Sequence, residues 1–401
     1  MSRSRLAGRL GGFALNVGVT STVGLVSIPL IIRGAGAAPW AAVAVGQVVG
    51  GIAAMLVSLG WGVAGPARAA AMSDADRSRY YGHSLGARGA ALVVALPACL
   101  IVGYAIVPDH RWMTGLVAAA SATYGLNAAW YFTAIGSPQG LFLCETLPRT
   151  LSSLAGAVGV VLGGTLLLVP ASLLLGSLLA TSATWRTVSR SGPITIPPPR
   201  RSVAGIRDAL PSLSVTVAVT VYSSLPVVFV AALAPSGLAS YALLDRFKTF
   251  ALTALGPVVQ VTQGSVVAPE RAETLRRTDR ACAVALVIGC VVAVLFPFLA
   301  HLGARLLSDG DIAPTSTLGV LVGLIVGVGV VSSVLGLACL PALDDVRAVT
   351  LSSAVGAVVF LMLAAPLAAW QHATGIALAA VLAEVCVLVL MAWFYLRDRT
   401  R

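Results

Sequence analysis

The chain has 401 residues, of which 58% are hydrophobic and 10% are charged, and its mean hydropathy is +0.94. A soluble domain of this length cannot bury so much apolar surface, so the composition indicates a polytopic membrane protein. The formal charge of +11 does not indicate nucleic-acid binding, because the arginines occur in short segments between apolar runs and no soluble basic domain is present.

Twelve apolar runs are long enough to cross a bilayer, which takes about 20 residues. In chain order they are residues 11–32, 39–63, 89–107, 112–135, 151–168, 170–186, 208–233, 237–264, 281–303, 316–340, 351–370 and 374–396. The first run follows the basic segment MSRSRLAGRL, but it is too long for the core of a signal peptide, so we interpret it as a transmembrane helix. The fifth and sixth runs are separated only by Pro170, where we expect a tight outer turn.

The distribution of basic residues predicts the orientation of these spans. If the N-terminus is cytoplasmic, most of the 26 lysines and arginines fall on the inner side, and the outer side receives only Arg33, Arg111 and Arg305. We therefore expect both termini in the cytoplasm. Abundant alanine, valine and arginine with a single lysine are typical of a GC-rich bacterial genome, so the expected location is the bacterial cytoplasmic membrane.

The segment SRSGPITIPPPRRS divides the chain near its middle, and its proline run favours an extended linker. Six predicted spans lie on each side. We therefore predict an N-terminal lobe of residues 1–188, a cytoplasmic linker of residues 189–207 and a C-terminal lobe of residues 208–401.

Weak internal similarity indicates that the two halves arose by duplication. Residues 28–45 and 225–242 can be superimposed without gaps, and each segment places a proline near the end of an outward-going helix before a turn of small residues. The sequence thus predicts an all-α membrane protein with about twelve transmembrane helices in two pseudo-symmetric six-helix lobes, a plan common among transporters.

The eighth span contains three ionisable residues, Asp245, Arg246 and Lys248, although it is long and apolar enough to cross the membrane. At 100° per residue, polar residues form one stripe along it, which comprises Tyr241, Asp245, Thr249, Thr253, Gly256, Gln260 and Gln263. The opposite side is predicted to face lipid, and it comprises Leu243, Leu244, Phe247, Phe250, Ala251, Ala254, Leu255 and Val258.

Two hypotheses explain the three charges. In the first, Asp245 and Lys248 form a structural ion pair across one helical turn, and the Arg246 side chain extends to the outer interface. In the second, the cluster has a net positive charge within a cavity and binds an anionic substrate, since charges inside a membrane are expensive and usually functional.

Other spans carry further candidate site residues. Asn16, Gln47 and Asn127 are the larger polar side chains, and they either line a cavity or join helices. Arg33 ends the first span, either as a substrate cation or as an interface anchor. Glu384 lies well inside the last span, where a carboxyl group is neutral, paired or used for coupling to a proton or cation.

The acidic residues of the first half are sparse. Glu145 and Arg149 lie four residues apart just before the fifth span, where they either pair at the cytoplasmic mouth or cap a helix. The first six predicted spans contain no aspartate or glutamate. The chain also has no G-x-x-x-x-G-K-[ST] motif, no C-x-x-C pair and no metal-ligand spacing of histidines, so we predict no ATP hydrolysis, no metal and no cofactor.

Three segments of the first half follow one another in the order IPLIIRGAGAAPWAAVAVGQ, LVSLGWGVAGPARAA and WYFTAIGSPQGLFLCETLPR. They resemble the Wzx-type flippases of lipid-linked oligosaccharides, which belong to the MOP superfamily and act in polysaccharide biosynthesis. In the eighth span, YALLDRFKTFALTALGPVVQ resembles the family pattern of a tyrosine, an acid-arginine pair and Pro-x-x-Gln. The resemblance runs from about residue 11 to residue 270. Where the family has tyrosine-proline after that pattern, this chain has Thr262, Gln263 and Gly264.

The resemblance implies a MATE-like fold whose two lobes alternate between inward-open and outward-open states. It implies that an undecaprenyl-pyrophosphate-linked oligosaccharide moves from the cytoplasmic to the outer leaflet, with its pyrophosphate in a cationic cavity. The residues expected there are Arg246, Lys248, Arg33, Asn16, Gln47, Asn127, Tyr241 and Gln260, with Asp245 and Glu384 in ion coupling or pairing. Membrane lipids and glycan-assembly polymerases or glycosyltransferases are the expected partners.

Three alternative functions remain open at this point. A cation-coupled exporter of small molecules with the same fold is expected to carry an acid in its first lobe. A membrane glycan polymerase or ligase needs reactive groups on the outer side, where this chain has only scattered acids and histidines. A scaffold for glycan assembly would not need a charged cavity. We expect a transporter and not an enzyme.

Overall fold

A computed structural model describes residues 3–198, 223–266, 270–343 and 345–399. The chain forms two compact units, Met1–Val217 and Ala218–Arg401. The predicted bounds of the lobes and of the linker stay predictions, because much of the segment between the units lies outside the described residues. The same holds for residues 208–222 of the predicted seventh span, and only the helical backbone of Gln260 is described.

The described residues of the first unit form helices joined by turns and short irregular segments. Its helices are α1 (Arg3–Ala35), α2 (Ala37–Ser58), α3 (Trp61–Ala70), α4 (Asp74–Ile106), α5 (Arg111–Ala122), α6 (Ala129–Ala134), α7 (Pro138–Leu141), α8 (Leu147–Val161) and α9 (Leu168–Ser189). A π turn over Phe142–Thr146 joins α7 to α8.

The described part of the second unit is helical as well. Its helices are α10 (Ser223–Leu233), α11 (Leu238–Val266), α12 (Arg271–Ser308), α13 (Ser316–Val334), α14 (Leu340–Ala342) and α15 (Val346–Arg399). A second π turn, Leu335–Cys339, joins α13 to α14.

Seven helical segments within the described ranges are long and apolar enough to cross a membrane. They are Gly11–Ala35, Ala37–Ser58, Asp74–Ile106, Leu168–Ser189, Arg271–Ser308, Ser316–Ala342 and Arg347–Arg399. The last segment covers two predicted spans, and its helix breaks at Gln371 and His372, between them. His372 has φ 51°, which L residues rarely adopt, so this break is a defined backbone feature and confirms the predicted boundary.

Two predicted spans are wrong in their extent. The second was expected to continue to residue 63, but α2 ends at Ser58 and the chain turns through Leu59 and Gly60, both with positive φ. The fourth was expected as one helix over residues 112–135. It is interrupted after α5 by a 3₁₀ turn and by Asn127 in an extended conformation.

The expected turn at Pro170 is also wrong. The chain turns at residues 162–167, where Gly163 has φ 89°, and Pro170 lies in the first turn of α9. The first four backbone N–H groups of a helix have no partner within it, so a proline there removes no hydrogen bond. Glycine, which adopts positive φ without strain, therefore sets the position of the turn.

Both π turns precede a Leu-Pro dipeptide, Leu147-Pro148 in the first unit and Leu340-Pro341 in the second. Proline lacks the N–H that would bond to the carbonyl four residues earlier, and its ring pushes that carbonyl away. The preceding turn widens to relieve this conflict, which accounts for the π geometry at both places.

Candidate substrate and coupling sites

Asp245 and Lys248 form an ion pair across one turn of α11, as the first hypothesis for the eighth span expected. Lys248 Nζ lies 2.5 Å from Asp245 Oδ1, and the two side chains are only 10% and 11% exposed. Lys248 Nζ also donates to the backbone carbonyl of Ser223 at the start of α10, at 3.3 Å. The pair therefore joins two helices of the second unit.

A small cavity of about 50 Å³ lies beside this pair. Its lining brings together Tyr241 and Lys248 from α11 with Glu384 from the second half of α15. Tyr241 is almost completely buried, and Glu384 is half-buried. The described part of the second unit thus gathers four of the predicted residues, namely Tyr241, Asp245, Lys248 and Glu384, in one place.

The residues of the polar stripe predicted along α11 differ in how far they are buried. Tyr241 and Asp245 are buried, whereas Thr249 and Thr253 are exposed. The prediction that Leu243 and Leu244 face lipid is wrong, because they are 0% and 1% exposed. Buried residues lie on both sides of the start of α11, so hydrophobic periodicity does not identify a lipid face there.

Arg246 lies between the paired residues in sequence and is half-buried. Together, Asp245, Arg246 and Lys248 place one acid against two bases within four residues. Arginine has a planar group that donates to two oxygens at once, which suits phosphate. Further along α11, Gln263 donates to the backbone carbonyl of Leu337 at 3.0 Å and so ties this helix to the second π turn.

The first unit contains a second buried ion pair, between Glu145 and Arg149. Arg149 Nε donates to Glu145 Oε2 at 3.1 Å, and the side chains are 9% and 5% exposed. The other carboxylate oxygen, Oε1, accepts from the Ala128 backbone N–H and from Thr184 Oγ1, both at 3.0 Å. The expectation of a pair at a cytoplasmic mouth was right about the pairing but did not anticipate this burial.

Arg149 extends this network towards α9 and the break after α5. Its Nη1 donates to Ser177 Oγ at 3.0 Å, and Ser177 in turn donates to the Thr123 carbonyl at 3.2 Å. Its guanidinium carbon lies 4.6 Å from the centre of the Tyr124 ring. The π turn aims Glu145 and Arg149 at the broken fourth span, where backbone groups released by the break need partners.

Asn16 and Asn127 have structural partners in this unit. Asn16 is buried, accepts from Thr146 Oγ1 at 2.6 Å and donates to the carbonyls of Gly12 and Pro138 at 2.8 and 3.3 Å. The Asn127 side chain donates to the Tyr124 carbonyl at 2.9 Å and accepts from the Ala129 N–H at 3.3 Å, so it caps the break. These contacts favour the helix-joining role for both.

Gln47 and Arg33 are two further candidate residues of the first unit. Gln47 is half-buried in α2, and Arg33 is exposed in the last turn of α1. The described contacts do not bring either residue to the Tyr241, Lys248 and Glu384 cavity.

Arg88 is a buried charge that sequence reasoning assigned to an inner segment. The long helix α4 carries it into the core of the first unit, where it is 1% exposed. Its Nη1 donates to the carbonyls of Gly125 and Asn127, at 3.3 and 2.5 Å. The one sign in the sequence that Arg88 is buried is its position at the start of an apolar run. Its hydrogen-bond partners could not be predicted, because they lie in a distant segment, at the break after α5.

No protein-family model and no curated protein matches this sequence, but solved structures match its fold. An inward-facing multidrug resistance MATE family transporter of the MOP superfamily matches with a TM-score of 0.64 and 16% identity, over 97% of this chain and 98% of the other. The lipid II flippase MurJ, in an inward closed conformation, matches with a TM-score of 0.66 and 13% identity, over 95% and 87%. A mutant of the Vibrio cholerae MATE transporter VcmN matches with a TM-score of 0.57 and 16% identity, over 99% and 97%.

These matches cover nearly the whole chain, so they concern the complete fold and not one unit alone. At such low identity they establish architecture only. The protein is an all-α, multi-pass membrane protein with a MATE-like fold.

Proposed function

We propose that the protein is a flippase that moves a polyprenyl-pyrophosphate-linked oligosaccharide repeat unit from the cytoplasmic to the outer leaflet, in cell-surface polysaccharide biosynthesis. The two units would alternate access to the substrate from either side of the bacterial cytoplasmic membrane. The likeness to a lipid II flippase supports a lipid-linked substrate, and the motif resemblance supports an oligosaccharide on that lipid. The proposed protein partners are polymerases or glycosyltransferases of the same biosynthetic pathway.

The observation that carries the proposal is the charge arrangement at the start of α11. Asp245 lies against Lys248 at 2.5 Å. With Arg246 beside them, the three residues carry one acid and two bases, which is one excess positive charge. We assign Arg246 to the pyrophosphate, with Lys248 at the second position, because the excess positive charge of this turn attracts a phosphate group in a low-dielectric site.

Glu384 is the residue proposed to couple transport to a proton or a cation. It shares the small cavity with Lys248 and Tyr241, so its charge acts on the same cluster. With Glu384 ionised, two acids balance two bases. When a proton or a cation neutralises Glu384, the cluster regains a net positive charge and its attraction for an anion increases. The affinity for substrate would thereby be linked to occupancy of Glu384.

One observation favours the alternative of a cation-coupled small-molecule exporter. The first six predicted spans contain no aspartate or glutamate, but Glu145, which lies between two of them, is buried in the first unit, at 4% exposure. Its carboxylate, however, already accepts hydrogen bonds from three donors, one of them Arg149. A carboxylate held in this way is a structural group more than an ion site, so the flippase remains the better-supported function.

Lipid-linked glycans of a deletion strain test the proposal. We expect a polyprenyl-pyrophosphate oligosaccharide to accumulate on the cytoplasmic side, as seen by mass spectrometry and by resistance to periodate added outside. Expression of the wild-type protein should clear it. Unchanged lipid-linked glycans in the deletion strain would contradict the flippase function, and uptake or efflux of small cations would then be measured.

A further inference from the structure

A large groove of about 740 Å³ lies between α12 and α13, within the second unit and outside the candidate site. Its walls are mainly apolar, and most of the large side chains in them are exposed. Val294, Phe298 and Leu302 of α12 are 64%, 71% and 55% exposed. The residues that line it are Ala293, Val294, Pro297, Phe298, His301, Leu302, Arg305, Ser316, Val320 and Leu324.

The groove follows from small residues where the two helices meet. A Cβ on Gly323 would lie 2.9 Å from the Ala293 carbonyl oxygen, and one on Gly327 would lie 2.5 Å from the Gly289 carbonyl oxygen. The helices therefore touch backbone to backbone at this crossing. At Gly319 the space is wider, since the nearest atoms of Pro297 are 3.8 Å away. The groove opens in that direction.

One end of the groove is cationic and polar. His301 and Arg305 are four residues apart on α12, so they project from the same face of the helix. Arg305 is exposed, and Ser316 in the first turn of α13 lines the same groove. Apart from Arg305 and His301, the lining carries no ionisable side chain. An apolar groove with an arginine at one end matches an amphiphile that has an anionic head.

The length of the groove matches one leaflet of a bilayer. Residues 293 to 305 of α12 span about 18 Å at 1.5 Å per residue, against about 15 Å for half of the hydrocarbon core. Arg280, near the other end of the same helix, lies about 38 Å from Arg305 by the same measure. That separation exceeds the hydrocarbon core of about 30 Å and approaches the full bilayer thickness of about 40 Å. The two arginines therefore fit opposite headgroup layers, with Arg305 at the predicted outer one.

We propose that this groove is a binding site for an anionic phospholipid. The lipid phosphate contacts Arg305, with His301 and Ser316 beside it, and one acyl chain lies along Val294, Phe298 and Leu302. Arginine binds the phosphate through charge-assisted hydrogen bonds, and the low dielectric of the interface strengthens them. The site is separate from the proposed pyrophosphate site on α11, and it does not depend on the transported substrate.

Native mass spectrometry of the full-length protein tests this proposal. The purified protein is titrated with phosphatidylglycerol or with phosphatidylcholine of the same acyl chains. We expect preferential binding of phosphatidylglycerol, and Arg305→Ala should weaken that binding about tenfold, equivalent to about 1.4 kcal/mol. Arg111→Ala is the matched control, because Arg111 is also an exposed arginine predicted at the outer interface, and it should leave binding unchanged.

A second variant tests the apolar part of the groove without touching its charge. Val320→Trp adds a bulky side chain at a 48% exposed position of α13. We expect reduced phosphatidylglycerol binding with an unchanged melting temperature. Equal affinity for both phospholipids, equal loss in the Arg111→Ala control, or a preference for undecaprenyl phosphate over phosphatidylglycerol would each overturn the assignment to an anionic phospholipid.

Discussion

Lys248 Nζ lies 2.5 Å from Asp245 Oδ1 one helical turn away, and both side chains are about nine-tenths buried in the second unit. The contact means that the single lysine of the chain is held by an acid on its own helix. The pair fixes the position of Lys248 beside Arg246, and the three residues of this turn carry one excess positive charge.

Removing one partner of this pair should destabilise the protein. Lys248→Met leaves the Asp245 carboxylate buried without its cation, and the loss for such a pair is about 3–5 kcal/mol. We expect a clearly lower melting temperature of the purified protein in detergent. The double variant Asp245→Asn/Lys248→Met removes both charges, so much of the stability should return.

The same double variant separates a structural pair from a substrate site. If Lys248 contributes to phosphate binding, the double variant regains stability but not clearance of lipid-linked glycan in a deletion strain. Full recovery of both stability and clearance would show that the ion pair has a structural role only and that Lys248 does not bind substrate.

The buried pair of the first unit gives a second prediction. Arg149→Met should destabilise the protein by about 3 kcal/mol or more, because Glu145 loses its counter-ion in a buried position. Glu273 and Arg277 provide a matched control, since they have the same spacing at 2.9 Å but are 39% and 42% exposed. Glu273→Gln should leave the melting temperature unchanged, and equal effects of the two variants would contradict the burial of Glu145.

Two adjacent glycines of α2 give a third prediction. A Cβ on Gly50 would lie 2.3 Å from the Ala118 carbonyl oxygen of α5, whereas a Cβ on Gly51 would meet no atom within 4 Å. Gly50→Ala should therefore overpack the α2–α5 contact and cost about 1–3 kcal/mol. Gly51→Ala should be neutral or slightly stabilising, because alanine favours helix. Equal melting temperatures would show that α2 and α5 do not approach this closely.

Two cysteines far apart in sequence provide a direct test of packing in the second unit. Cys282 Sγ of α12 lies 3.7 Å from Cys339 Sγ in the second π turn, and both are free thiols. A mild oxidant should join them, since a small shift brings the sulfur atoms to bonding distance. Peptide mass spectrometry should detect the 282–339 crosslink in the wild type and not in Cys282→Ser. Absence of the crosslink under conditions that oxidise Cys282 would contradict the position of the π turn.

The apolar runs predicted the helices well because membrane spanning imposes a minimum length on them. Interruptions were harder to locate. The break at Asn127 depends on hydrogen bonds from other segments, since Glu145 accepts from the Ala128 N–H and Arg88 donates to the Gly125 and Asn127 carbonyls. No local sequence pattern predicts it. Pro170 was a misleading signal, since proline is tolerated in the first turn of a helix.

Part of the candidate site could be predicted from the sequence, because it depends on contacts within a single helix. The spacing of Asp245 and Lys248 within one turn was enough to expect their pairing. That Glu384 reaches the same cavity could not be foreseen, because it depends on how α15 packs against α11. Asn16 and Asn127 were predicted from their polarity either to line a cavity or to join helices. Their hydrogen bonds within the first unit favour the second role, and a role in substrate binding stays a prediction.

The most direct test of the account concerns Arg246, the residue assigned to the pyrophosphate. A deletion strain is complemented with the wild type, Arg246→Ala, Arg246→Lys or the exposed control Arg111→Ala at equal membrane levels, and lipid-linked glycans are measured by mass spectrometry. We predict that the wild type and the control clear the accumulated oligosaccharide and that Arg246→Lys clears it partly. Clearance by Arg246→Ala should be at least about tenfold slower, from the loss of a charge-assisted bond of about 1.5–3 kcal/mol. Normal clearance by Arg246→Ala would contradict the phosphate site.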